Sequence, residues 1–381
     1  MLPTGQHPVQ YCSIQVFKNS SSTVVSDPFV PAQHSLTPHT PPPCQCKMDK
    51  MDNRCRKKTL DLCKHTFIII STCVCFRGSY EASSKRFVEK DLEVSAAGKS
   101  FMITGANSGI GKATAMAIAK KGGTIHMICR NKDKAEEARA EIVKETGNKE
   151  IYVHILDLSE TKKVWEFAEA FKKKYKTLNV LINNAGCMMT KREVNAEGLE
   201  KSFAINSLAV YILIKSLIPL LEKSPDPRVI TVTSGGMLVQ KLRTGNLQSQ
   251  RGRYDGTMVY AQNKRQQVVL TEQFAKAHTN IHFSVMHPGW VDTPMIANAM
   301  PDFHSSMKER LRTPEQGADT VVWLALAEAA TTKPSGKFFQ DRKMVSAHLP
   351  LAWTHSSQLE DQKFMSVMEE LAKKHPAKDN S

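Results

Sequence analysis

The stretch Thr104-Gly105-Ala106-Asn107-Ser108-Gly109-Ile110-Gly111 narrows the possible folds more than any other part of the chain. It follows a short apolar run, 101–104, and opens an apolar-periodic stretch, 110–121, so it lies where a strand gives way to a helix. Three glycines there let the backbone turn tightly and bring helix N-terminal N–H groups against a pyrophosphate. The same spacing also suits a tight strand-to-helix turn without a ligand; the flanking pattern is what favours a nucleotide. Gly105, Ser108, Gly109, Ile110 and Gly111 are therefore candidate cofactor contacts.

Beyond Gly98 short β-branched or apolar runs alternate with longer amphipathic ones. Strands are expected at 101–104, 124–129, 151–155, 180–182, 229–233 and 282–286. Helices are expected at 110–121, 132–145, 161–175, 198–221 and 258–278, with a further helix near 315–329 and a closing strand at 337–340. That alternation predicts an α/β chain with a Rossmann-type, doubly wound parallel sheet. Apolar residues at 41% and charged residues at 23% exclude a collagen-like, wholly disordered or polytopic membrane chain.

The layout expected is a disordered extension at 1–77, a linker or short helical lead-in at 78–97, a single catalytic domain at 98–345 and a C-terminal extension at 346–381. The first segment is rich in Ser, Thr, Pro and Gln and contains Thr40-Pro41-Pro42-Pro43. Its apolar run, 66–76, is short of the roughly 20 residues that span a bilayer, and it can lie on a membrane surface or simply pack. Seven of the nine cysteines lie at or before Cys75, so the larger part does not depend on disulfides. Cys44, Cys46, Cys55 and Cys63 match no standard zinc spacing, and no metal site is expected. The net charge of +15 is spread along the chain rather than held in a tail, which reads as a solvated basic surface. No RNP-like or zinc-finger motif accompanies it, and Lys172-Lys173-Lys174 reads as a solvated helix end, so nucleic acid is not an expected partner.

The end of the second strand reads Ile128-Cys129-Arg130-Asn131, with no carboxylate before Asp133. An acidic group there would bind an adenosine ribose 2′-hydroxyl, whereas a guanidinium accepts a 2′-phosphate, so Arg130 favours NADP(H) over NAD(H). Asp157 follows the third strand and can hydrogen-bond an adenine amino group. Asn183-Asn184-Ala185-Gly186 follows the fourth, where Asn184, Ala185 and Gly186 would line a cofactor with short side chains and backbone.

Two copies of Tyr-x-x-x-Lys occur, Tyr211 with Lys215 and Tyr260 with Lys264, each putting a phenol and an ammonium on one helix face. Tyr211 precedes the fifth strand in a long apolar helix, where a packed tyrosine with a snorkelling lysine is the ordinary reading. Tyr260 opens the helix after Val232-Thr233-Ser234-Gly235 and can work as general acid or base on a carbonyl or alcohol oxygen, its phenolate favoured by the nearby cation. Ser234 would hydrogen-bond that oxygen, Lys264 could also hold ribose hydroxyls, and Asn206 could hold a water that relays protons to Lys264. In His287-Pro288-Gly289-Trp290-Val291-Asp292-Thr293, after the sixth strand, Pro288, Gly289, Val291 and Thr293 are candidates to meet the nicotinamide amide, and 294–313 reads as a flap over the substrate. The Gly-x-Ser-x-Gly element of α/β hydrolases is absent.

In order, the glycine turn, Asn183 to Gly186, Asn206, Ser234, Tyr260 with Lys264, and Pro288-Gly289 through Thr293 resemble the short-chain dehydrogenase/reductase family over about 98–339. Cys129-Arg130, Asp157-Leu158-Ser159 and Ile182 through Met188 are similar to its retinol dehydrogenase-like branch. The resemblance implies seven strands in the order 3-2-1-4-5-6-7, Tyr260 as proton donor or acceptor, Ser234 and Asn206 beside it, and hydride passing between nicotinamide and a carbonyl or alcohol carbon. By analogy with the branch the substrate would be a hydrophobic alcohol or its aldehyde or ketone. A homodimer, a membrane-surface association and an intracellular location, cytoplasmic or membrane-associated, are compatible with it. A catalytically weak nucleotide-binding scaffold or sensor of the same fold is the alternative. The long interval between Ser234 and Tyr260 predicts an extra loop, 235–257, over the pocket, and the chain before about Gly78 has no family counterpart.

Overall fold

The computed structural model describes residues 75–374, which hold eight strands in one sheet. They are β1 Ser100–Thr104, β2 Thr124–Cys129, β3 Ile151–Ile155, β4 Val180–Asn183, β5 Arg228–Val232, β6 His282–Met286, β7 Lys337–Gln340 and β8 Lys343–Val345, ordered β3-β2-β1-β4-β5-β6-β7-β8. The first seven pair in parallel, for example Ile103 against Ile182 and Thr231 against Val285. The expectations placed on 1–74, including the four cysteines and most of the apolar run 66–76, lie outside the described residues, as do 375–381.

The seven-stranded expectation needs one correction. β8 adds to β7 in antiparallel fashion through Asp341 and Arg342, both at positive φ of 49° and 55°. Such a two-residue turn normally announces itself by Asn-Gly or Asp-Gly, and Asp-Arg carries no such signal.

The strands read as continuous apolar runs because helices cover both faces of the sheet. One layer consists of Gly109–Ala119, Lys132–Thr146 and Pro314–Leu326, packed on Phe101, Ile103, Ile125 and Ile182. The other consists of Thr161–Lys174, Lys201–Leu221, Gly256–Ala277 and the C-terminal Gln358–Lys373, packed on Met102, Leu181, Val229 and Phe283.

Local chemistry sets the helix ends. Asn131 accepts from Lys134 N, and Gly147 at φ 69° closes that helix. The helix expected at 198–221 begins at Lys201, because the Glu200 carboxylate accepts from Ser202 N and Phe203 N at 2.9 and 2.7 Å. Within it, Ala204–Leu208 widens to a π turn. The helix expected at 315–329 breaks at Ala327, where the buried Arg228 guanidinium takes the carbonyls of Leu324 and Ala327, each at 2.8 Å. The helix Lys201–Leu221 is long and apolar enough to cross a membrane, yet most of it is buried in the protein, as a core helix is.

The loop expected over the pocket packs mostly into the core instead. Only Gly235, Gly236 and Thr257 reach the cleft, while Met237, Leu242 and Leu247 are buried in the core. The buried Arg265 fixes this segment by donating to the carbonyls of Met237, Gln240 and Ala347.

Candidate active site

The carboxyl ends of β1 to β6 open on a cleft of about 610 Å³. The glycine turn forms its floor. Gly105 sits at φ 68° and Gly109 at φ 50°, and a Cβ on Gly111 would stand 2.2 Å from Gly105 O, so the helix start can approach β1 only without a side chain there. The second turn is stapled to the first: Asn184 Nδ2 donates to Thr104 O at 2.8 Å, and the Asn184 and Ala185 N–H groups donate to Thr104 Oγ1 at 3.0 and 2.9 Å. Ser108 and Ile110 complete that floor. The result is a smooth backbone cradle opening on a helix N-terminus, which fits a dinucleotide.

At one end the cleft is lined by Arg130, Asn131, Lys134 and Asp157. Arg130 is solvent-exposed, and one Asp157 oxygen accepts from Ser159 N at 2.8 Å. At the other end stand Ser234, Tyr260 and Lys264, brought together because β5 ends at Val232 and the helix Gly256–Ala277 crosses beside it. Asp255 starts that helix by accepting from Thr257 N and Met258 N, and Gly256 lets it touch the 189–190 backbone, where a Cβ would be 1.9 Å from Met189 O. Thr233 Oγ1 donates to Lys264 O at 2.8 Å and holds the helix to the sheet.

Lys264 Nζ donates to Val232 O at 2.8 Å and lies 5.4 Å from the Tyr260 ring centroid. Both side chains are buried. Burial pulls the lysine down from 10.5 to about 7, while burial and the neighbouring Cys187 push the phenol up, partly offset by its hydrogen bond to Ser234. Desolvation therefore outweighs the cation-on-phenol effect expected from the Tyr-x-x-x-Lys spacing.

Asn206 lies in the π turn, a break that recurs at functional sites. Its side chain grips the Cys187 backbone on both sides, Oδ1 accepting from Cys187 N and Nδ2 donating to Cys187 O, each at 2.9 Å, and its carbonyl accepts from Gln267 Nε2 at 2.7 Å. It braces the turn that carries Gly186, whose Cβ would stand 3.3 Å from both Asn206 Oδ1 and Lys264 Nζ.

Pro288, Gly289, Val291 and Thr293 line the cleft, Thr293 also capping Pro294–Ala299 by accepting from Ile296 N. Three supporting residues were assigned no role from the sequence. Arg312, 1% exposed, pairs with Asp341 through both Nη atoms and reaches Pro288 O at 3.1 Å. A Cβ on Gly289, itself at φ 82°, would sit 2.4 Å from Arg312 Nε. His287, whose burial holds it far below its usual range at about 3, accepts from Gly235 N at 3.0 Å as a neutral ring and so ties the Ser234 turn to β6. A third, Cys187, lines the cleft, and burial raises its thiol to about 11, which leaves it protonated. The far wall is apolar: Met188, Ile205, Trp290, Met295, Ile296 and Met300, with Trp290 packed on Phe303 at 4.5 Å between ring centroids.

Known proteins are similar to this chain in sequence and in fold. The short chain dehydrogenase family profile matches residues 99–303. Dehydrogenase/reductase SDR family member 12 of Bos taurus is 62% identical over 298 residues, 78% of this chain and 94% of that protein. Human retinol dehydrogenase 12 is 36% identical over 256 residues, 65% of this chain and 78% of that one. A short-chain dehydrogenase from Shigella flexneri 2a, solved in complex with NADP, superposes with a TM-score of 0.53 at 24% identity, covering 67% of this chain and all of the other, a likeness of fold. A cradle for a dinucleotide at the sheet's carboxyl edge, set in a sequence this close to curated dehydrogenases, makes the chain an oxidoreductase of the short-chain dehydrogenase/reductase family.

Proposed function

We propose that the protein interconverts a hydrophobic alcohol and its aldehyde or ketone with NADP(H), the domain 98–345 carrying the reaction and Tyr260 serving as general acid or base. The observation that carries this reading is the convergence of Ser234, Tyr260 and Lys264 at one end of a glycine-floored cleft whose opposite end is Arg130. The apolar wall from Met188 to Met300 supports a hydrophobic substrate, because burying polar groups there would leave them without partners.

Gly105, Ser108, Gly109, Ile110 and Gly111 would hold the pyrophosphate by backbone contact, with Asp157 at the adenine and Asn184, Ala185 and Gly186 along the ribose side. Pro288, Gly289, Val291 and Thr293 would face the nicotinamide. The bound nicotinamide supplies or accepts the hydride. In reduction the Tyr260 phenol gives its proton to the substrate oxygen as the carbon becomes an alcohol, and in oxidation the phenolate takes that proton back. The Ser234 hydroxyl donates to the same oxygen while charge builds on it. Lys264, buried and poised near 7, can gain or lose a proton at working pH and so restore the phenol between turnovers. Asn206 holds the Cys187 backbone and keeps Gly186 against Lys264.

The test is calorimetric binding of NADPH and NADH to wild type and Arg130→Asp, followed by NADPH oxidation against a panel of apolar aldehydes and ketones with Tyr260→Phe as control. Tight NADPH binding that the Arg130 variant loses, together with turnover that the Tyr260 variant loses, is the expected result. Binding without turnover on any carbonyl would favour a nucleotide-binding scaffold, and no binding of either cofactor would overturn the proposal.

A further inference from the structure

The lead-in 75–92 lies outside the 99–303 that match the family profile, yet it touches three segments that line the cleft. Trp290 N donates to Cys75 O at 2.8 Å, and a Cβ on Gly289 would stand 2.6 Å from that oxygen, so the lead-in can pass this closely only at a glycine. Because His287 Nδ1 accepts from Gly235 N, the neutral ring carries its proton on Nε2 and donates to Cys75 Sγ at 3.4 Å, which joins the lead-in to the Ser234 turn. The buried Phe76 ring lies 6.5 Å from Phe303, itself packed on Trp290, with the Arg310 guanidinium 5.9 Å away. In the helix Arg77–Ser84, Arg77 Nε donates to Leu311 O at 3.0 Å, Ser79 Oγ accepts from Arg312 Nη2 at 3.3 Å, and the Tyr80 ring lies 5.3 Å from the Arg312 guanidinium.

Between Trp290 and Leu311 runs the flap, made of Pro294–Ala299, Pro301–Met307 and Lys308–Arg310. Met295, Ile296 and Met300 of this flap line the cleft. Pro294–Ala299 buries only Ile296 and Pro301–Met307 buries none of its residues, so the flap has little core of its own and takes its position from what it leans on. We propose that Phe76 and Arg77 are positioning residues: the lead-in braces the flap and so fixes how closely its apolar side meets a substrate's hydrocarbon tail. The inference rests on the reading of the cleft as the site of carbonyl reduction, with the tail against Met295, Ile296 and Met300. Neither Phe76 nor Arg77 lines the cleft, so both act through Phe303 and Leu311. Ordinary packing of a helix explains why Phe76 is buried, but it does not call for bonds on either side of the flap and a third to the Ser234 turn.

The experiment compares full-length wild type with Phe76→Ala in two arms. Hydrogen exchange compares the amides of 294–311 with those of β1 to β4, and steady-state NADPH oxidation against straight-chain aldehydes from propanal to decanal gives kcat and KM. In the variant the flap amides are expected to exchange about tenfold faster, with those of β1 to β4 unchanged. KM is expected to rise about tenfold for decanal and to stay within about twofold for propanal, with kcat nearly unchanged for both, because only the long tail reaches the flap. Flap exchange equal to that of wild type would overturn the proposal. So would an unchanged KM for decanal, or an equal loss on both aldehydes, the mark of a general structural defect. A wild type that oxidises NADPH with none of the aldehydes would sink the reading of the cleft instead, and the exchange arm would then decide the brace by itself. Should Phe76→Ala not fold, Arg77→Met removes the bond to Leu311 O, and the same outcomes decide with effects of about threefold.

Discussion

Two copies of one motif, forty-nine residues apart in this chain, end in opposite environments. Tyr211 and Lys215 share the Glu369 carboxylate at the outer rim of a helix pair, with the Lys215 side chain 46% exposed. Tyr260 and Lys264 are buried at the cleft, where among the described residues no carboxylate pairs with them and the lysine donates to a backbone carbonyl, Val232 O. An ion pair ties one lysine into the packing of a helix, while burial without a counter-ion pulls the other toward neutrality, as the proposed proton carrier requires. The spacing is the same; position relative to the sheet's carboxyl edge decides which happens.

The comparison is sharpest in turnover. Tyr260→Phe is expected to lower kcat by on the order of 10² to 10⁴, leaving NADPH affinity nearly unchanged, while Tyr211→Phe leaves kcat within about twofold. Steady-state kinetics on one reactive aldehyde compares the two, and equal losses would erase the distinction drawn above. Phe364→Ala, on the helix that carries Glu369, is expected to cost about 3–5 kcal/mol in urea unfolding, because its ring is fully buried in the core.

Stability against pH separates the two motif sites next. Below about 7 Lys264 is charged in both the folded and the unfolded chain and its burial costs in full; from there to about 10.5 the unfolded chain holds more protons, so stability rises with pH. Lys264→Met should lose this rise, read as the difference between the two chains' melting temperatures across that window. Glu369 gives a rise of the same sign in a lower window, because here the charged form is the favoured one: hydrogen bonds from Lys215 and Tyr211 hold its carboxyl at about 2, below the usual 4.5. Its contribution is present above about 4.5 and is lost as pH falls toward 2, and Tyr211→Phe should shrink that loss. The smallest effect expected is from Tyr211→Phe at neutral pH, about 1 kcal/mol for one partly exposed hydrogen bond.

The order of strands and helices was readable in the sequence because buried parallel strands are apolar throughout and their crossover helices are periodic. The candidate cleft was readable because its lining sits at strand ends: the glycine turn, Asn184 to Gly186, Ser234 and Tyr260 all lie along the same edge. What escaped depends on partners distant in sequence. Arg312 and Asp341 lie 29 residues apart, and neither residue type reveals a buried pair. The eighth strand rests on a turn whose residues rarely adopt its backbone. The loop 235–257 packs inward because Arg265, on another element, collects its carbonyls, and Asn206 acts as a brace because a π turn aims its amide at Cys187. Helix 358–373 has an apolar stripe legible in its residues, but the surface it docks on is known only in three dimensions.

Trp290 lines the cleft between the Pro288-Gly289 turn and Phe303, and the other three tryptophans, Trp165, Trp323 and Trp353, lie elsewhere in the chain. Indole emits in the region where reduced nicotinamide absorbs, so the protein carries its own optical donor next to the place proposed for the acceptor. Cofactor arrival can be followed by quenching of this one residue's fluorescence, without a label and before any substrate is known, and Trp290→Phe would assign the signal to the cleft.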